Sequence, residues 1–172
     1  EEARLRSLVV AGTDAEGLLP ERQVTEYLLF ESGRPVLVVP PGATHVDLTT
    51  IAIAWDGGRC AARALGDAAA LIHQAKQGLL LRLTGDKEMY DSLSLEESAA
   101  ALGEHGWSIE AREVSRGQRG SGQALGEEAL AAGAGLLVMG AHSRGSLRER
   151  LFGGATMDVL QQPIIPTLMS HG

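Results

Sequence analysis

Two short stretches of this chain carry the residue types and spacings that could do chemistry. Trp55-Asp56-Gly57-Gly58 sets one carboxylate beside glycines, and Gly140-Ala141-His142-Ser143-Arg144-Gly145 leads through Leu147, Arg148 and Leu151 to Gly153-Gly154-Ala155. Glycine just before a helix lets an anion approach the backbone, and the unpaired N–H groups and dipole of the first turn can then hold it, so the second stretch is a candidate phosphate cradle. Gly153-Gly154 has a second reading, a tight helix start and no more. Asp56 fits either a ligand contact or a cap for the helix that follows it. His142 reads as a phosphate contact or as a lone solvated imidazole. Arg144, Arg148 and Arg150 either neutralise an anion or are solvated charges near a helix start.

Nothing else in the sequence assembles a reaction centre. No nucleophile, base and orienting acid can be picked out, and no His/Asp/Glu cluster has metal-ligand spacing, so no metal site and no dedicated enzyme are expected. A slow ATPase or phosphotransferase would need a group to orient water and a metal held by carboxylate, for which Asp56 is the obvious candidate. The net charge of −7 argues against nucleic acid or an anionic membrane surface as partner, although a local basic patch stays open. Cys60 is the single cysteine, which rules out an internal disulfide, fits a reducing compartment such as the cytoplasm, and reads as a small core residue in an Ala-rich helix. No apolar run approaches the roughly 18 to 20 residues that span a bilayer. The start Glu1-Glu2-Ala3-Arg4 resembles neither a signal sequence nor a translation start, and processing or a longer parent chain is expected from it.

The elements that must position these stretches follow from periodicity. Apolar runs of strand length occupy 50–55, 78–83, 107–113, 135–139 and 165–169. Between the first two, Ala61, Leu65, Ala68, Ile72 and Ala75 form one apolar stripe of a helix expected to end near Gly78. Ser94 and Glu97 make a capping box ahead of Leu95, Ala99 and Leu102, with Gly106 as the stop. Residues 116–122 read as a flexible loop, and 123–132 as a helix that Gly126 weakens by about 1 kcal/mol relative to Ala. A last helix is expected over 155–161, ending before Pro163. Trp55 and Trp107 read as packing anchors.

Strand-helix alternation of this kind predicts an α/β fold, an open parallel five-stranded sheet of order 3-2-1-4-5 with helices on both faces. In that order the two glycine stretches face each other where neighbouring connections diverge, the place where open sheets bind ligands. The first forty residues repeat the last forty in outline. Ser7-Leu8-Val9-Val10-Ala11-Gly12 matches Gly135-Leu136-Leu137-Val138-Met139-Gly140, and Pro35-Val36-Leu37-Val38-Val39 matches Pro166-Thr167-Leu168-Met169. Residues 1–42 are therefore expected to be a strand-helix-strand arm, with Pro40-Pro41-Gly42 as its boundary and 43–172 as the main domain.

The element order over 50–172, the Asp after the opening strand and the block 139–156 together resemble the universal stress protein family. Its nucleotide-binding members carry glycine, two residues, glycine, nine residues, glycine, then Ser or Thr; this chain has Gly140, Ser143, Gly153 and Gly154 there, at the same spacing. Two of the four identities differ, and Gly58 stands where a Ser is common. The resemblance implies ATP or AMP, with magnesium accompanying ATP, bound with Asp56 near ribose and phosphates and the Leu83 backbone near adenine. Gly140, Ser143, Gly153, Gly154 and Ala155 would surround the phosphates with backbone N–H groups, and His142 enters the candidate set from its place in the loop alone. The resemblance also implies that 1–42 is the tail of a preceding repeat, and that the edge strands 36–39 and 167–169 pair antiparallel, within a tandem chain or across a homodimer. The function implied is a non-enzymatic stress-response or regulatory domain; the alternative is a nucleotide-free structural or interaction module, which the two substitutions favour.

Overall fold

A computed structural model describes residues 1–12, 19–72, 75–84, 94–103, 106–142 and 154–172. After a short 3-10 turn at Glu2–Leu5 come β1 (Val9–Gly12), α1 (Leu19–Glu31), β2 (Val36–Val39), β3 (Thr50–Ala54), α2 (Arg59–Leu71) and β4 (Gln77–Thr84). The chain continues through α3 (Leu95–Gly103), β5 (Ser108–Ser115), α4 (Ser121–Ala131), β6 (Leu136–Gly140), α5 (Gly154–Gln161) and β7 (Thr167–Ser170).

The most continuously apolar strands are central because both of their faces must be covered. Every residue of β6 is buried, as are Ile51, Ala52 and Ile53 of β3. These two strands pair parallel, Ile51 opposite Leu136 through Ala54 opposite Met139. The edge strand β5 instead carries Glu110, Arg112 and Glu113, charges that keep an exposed ladder from recruiting another chain. Arg112 also ties the edge to the layer above, bonding Glu128 of α4 at 2.6 Å and Glu110 at 2.7 Å.

The sheet order is β1-β2-β7-β6-β3-β4-β5. Over β3 to β7 this is the expected 3-2-1-4-5 arrangement. The expected antiparallel pairing of 36–39 with 167–169 joins the strand-helix-strand arm to this sheet, so β1 and β2 extend it from five strands to seven. Val36, Leu37 and Val38 lie antiparallel to Met169, Leu168 and Thr167, and β1 pairs parallel with β2. The reason is visible in burial: Val36 and Val38 are wholly covered, so β2 is an interior strand with a neighbour on each side.

Helices cover both faces. Ala64 and Ala68 of α2 and Leu95 and Ala99 of α3 pack on Ile51, Ile53, Leu80 and Val138. Leu29 of α1, Leu125 and Ala129 of α4 and Val159 of α5 pack on Ala52, Leu81, Leu137 and Met139. Successive strand residues therefore feed opposite cores, as a pleated strand requires.

Two local expectations shift. The helix read as running toward Gly78 ends at Leu71; Ile72 and Ala75, which completed its apolar stripe, are buried beyond its end. Residues Ser121 and Gly122, read as loop, form the first turn of α4, because their cap comes from elsewhere: Gly122 N–H donates to Asp158 of α5 at 3.0 Å. Gly126 also finds its reason in packing, since a side chain there would press to 3.2 Å from Ile164.

Candidate functional site

The connections leaving β3 and β6 part to opposite faces, β3 into α2 and β6 toward α5, and the carboxyl ends of this central pair form the switch point. Asp56 follows β3 by two residues, and Ala141-His142 follow β6 directly. Leu83 sits at the carboxyl end of the neighbouring β4, two residues beyond Leu81, whose partner is Ala54. Gly154 and Ala155 open α5 on the other side. The structure therefore brings Asp56, Leu83, Gly140 and His142 to one end of three adjacent strands. Ser143 and Gly153 lie outside the described residues, as do Arg144, Arg148 and Arg150.

Asp56 does not cap α2, whose N-cap Gly58 makes no side-chain cap bond; its carboxylate closes the turn that leads into the helix. Its Oδ1 accepts the Gly58 N–H at 2.8 Å, closing a turn over Gly57, whose φ of 71° suits glycine, and setting up the start of α2. Its Oδ2 is turned the other way, 3.6 Å from Nε2 of His142. Each side chain is about half exposed, 49% for Asp56 and 51% for His142, so both leave polar atoms open to solvent at this end of the sheet. His142 thus has a partner across the switch point that its sequence neighbours do not reveal.

Gly140 answers a steric demand. A side chain there would come within 2.5 Å of the Cys60 carbonyl carbon and the Ala61 nitrogen, so glycine is what lets the end of β6 touch the first turn of α2. Cys60 is buried in that turn, and its thiol lies 3.8 Å from the Gly172 carbonyl. Gly154 is different. Among the described residues, a side chain at that position would meet the Ser121 hydroxyl first, at 3.6 Å.

One contributor was not singled out from the sequence. Thr156, in the first turn of α5 and only 2% exposed, accepts the backbone N–H of His142 at 3.3 Å. It is the nearest hydroxyl after Gly154 along the chain, and that position in a helix's first turn was the available signal. Trp55 and Trp107 both pack, partly buried, against the α2–α3 core. No group of three or more His, Cys, Asp or Glu suited to a metal ion occurs among the described residues, and no described helix is long and apolar enough to cross a membrane. An open hollow of about 440 Å³ lies at the other end of the sheet, at the starts of β6 and β7, bordered by Pro41, His45, Leu130 and Pro166.

Comparison with known proteins gives three kinds of result. The sequence model of the universal stress protein family matches residues 48–171. Curated proteins give no match. Among solved structures, a universal stress protein from Archaeoglobus fulgidus DSM 4304 superposes with a TM-score of 0.70 at 16% identity, over 96% of this chain and 60% of that one. A protein of unknown function from Pseudomonas aeruginosa PAO1 gives 0.58 at 18% identity, over 99% and 65%. A universal stress protein family member from Burkholderia pseudomallei gives 0.51 at 23% identity, over 71% and 95%. These likenesses show the fold, and the chain spans about three fifths of the Archaeoglobus protein.

Proposed function

The chain belongs to the universal stress protein family, and from that premise we propose that its switch-point crevice binds an adenine nucleotide, ATP or AMP, in a regulatory rather than catalytic role. What is established is coarser, a domain of the stress-response type. The observation that carries the finer reading is the convergence of Asp56, His142 and the first turn of α5 on one crevice at the carboxyl ends of β3 and β6.

The residues fit the ligand chemically. The Asp56 carboxylate can accept from ribose hydroxyls, and the His142 imidazole can donate to a phosphate oxygen. The first N–H groups of α5 have no partner within the helix and face the end where negative charge is favoured. The Leu83 backbone at the end of β4 is offered to the adenine edge. Magnesium arriving with ATP would offset phosphate charge beside Asp56. In this regulatory reading the bound nucleotide acts as a signal that biases partner contacts.

A second reading, an interaction module with no nucleotide, is favoured by the two departures from the family's glycine pattern, Ser143 and Gly154. For assembly, we take residues 1–42 as the tail of a preceding repeat that pairs within the chain. Two facts support this. β1-α1-β2 reproduces the order and parallel pairing of β6-α5-β7, and β2 and β7 have both their edges occupied inside the sheet.

The test is thermal unfolding with ATP, AMP and GTP, with and without magnesium, alongside mass spectrometry of anything released on denaturation. Ligand at 100 times its dissociation constant stabilises by about 2.7 kcal/mol. A selective upward shift with adenine nucleotides is expected; no shift and no released nucleotide would hand the crevice to the second reading.

A further inference from the structure

The peptide group joining Ala141 to His142 is held at both ends. Its N–H donates to the Thr156 hydroxyl at 3.3 Å, and its carbonyl lies 2.9 Å from Nδ1 of His171, just beyond β7. A peptide unit is planar, so fixing both polar ends fixes its orientation and the direction in which the next side chain leaves the backbone. That side chain is the His142 imidazole, 3.6 Å from Asp56.

The His171 ring has its own support. Phe30 of α1 meets it edge to face, with ring centroids 5.2 Å apart and planes at 82°. On the far side Gly172 packs against the start of α2, its carbonyl 3.8 Å from the Cys60 thiol. We propose that His171 is a positioning residue for the Ala141–His142 peptide, and that Phe30 sets its ring, so that the N-terminal arm and the site are mechanically linked. The line of contact runs from Phe30 to His171, to the Ala141 carbonyl, and through one rigid peptide to His142. This deepens the nucleotide reading and rests on it only for the ligand arm of the test.

A carbonyl oxygen only accepts, so the contact requires the proton of His171 on Nδ1. Free imidazole in water favours the other nitrogen, which makes the tautomer a direct signature of the contact. The experiment uses the full chain, ¹⁵N-labelled, observed by NMR above the pH at which histidine is protonated. His171 is expected as the Nδ1–H tautomer. Phe30→Leu should move the His171 ring signals and the His142 amide while leaving the amides of β3 in place. His171→Phe should move the His142 amide in the same way, and His171→Gln, which can still donate to Ala141, should restore it. In the ligand arm, His171→Phe should weaken ATP binding by about fivefold, the value of one neutral hydrogen bond.

An Nε2–H tautomer in the unmutated chain overturns the proposal. So does a Phe30→Leu change that leaves the His142 amide unmoved, or that spreads evenly over the sheet as a general loosening. If the unmutated chain takes up no ATP, the nucleotide reading fails alone, and the tautomer and the amide shifts still decide the positioning role.

Discussion

Glycine at two positions of the switch point does opposite work. At Gly140 the missing side chain is occupied by the neighbouring helix, and a methyl group would sit 2.5 Å from backbone atoms that cannot swing aside. Gly140→Ala should therefore destabilise the fold by about 1 to 3 kcal/mol, read as a lower midpoint in urea unfolding. At Gly154 the nearest described atom is the Ser121 hydroxyl at 3.6 Å, so Gly154→Ser should leave stability nearly unchanged and place a hydroxyl at the end of α5 that faces the proposed phosphates. A hydrogen bond to a charged group should then tighten ATP binding about tenfold, measured by calorimetry. Sequence reading could name both glycines but not separate their roles, because the atoms that crowd Gly140 come from Cys60 and Ala61 on a distant helix. The same distance hid the partner of His142. Asp56 was legible as a candidate, and its two oxygens face different partners, the Gly58 N–H and the His142 ring.

At the scale of elements, local signals were the readable ones. The capping box of α3 forms as its sequence implies, with Ser94 N–H donating to Glu97 at 2.7 Å and Glu97 N–H donating to the Ser94 hydroxyl at 3.0 Å. The start of α4 was misplaced because its cap, Asp158, belongs to α5 and leaves no mark in the sequence around Ser121. The approach to β3 shows how such local bonds become a pH dependence. Asp47 accepts from the hydroxyl and the backbone N–H of Thr49, the hydroxyl bond being the larger influence, and these hold its carboxyl below the usual carboxylate value against a small opposing effect of desolvation. Protonating it is harder in the folded chain than in the unfolded one. Its contribution is thus fully present above the ordinary carboxylate range, about pH 4, and is lost as the pH falls through the lowered value. Asp47→Asn should flatten the stability profile in that acid window and leave its slope near neutrality unchanged, as followed by urea unfolding at a series of pH values.

For the whole molecule, the pattern of buried runs was sufficient to order β3 to β7, since only central strands can be apolar throughout. It was insufficient to place β1 and β2. Four-residue strands such as Val36–Val39 carry too little pattern to say which sheet they join, and the repeat of strand, helix and strand supplied what periodicity could not. The outcome is one sheet in which the arm lies against β7, and β7 borders the β6 end that carries His142. The central claim is that this crevice holds an adenine nucleotide, and its most direct test is an ATP titration by calorimetry of the unmodified chain beside Asp56→Ala. The account predicts saturable binding at one site that weakens about tenfold or more when the carboxylate is removed. No binding heat at millimolar ATP, or binding that Asp56→Ala leaves unchanged, would contradict it.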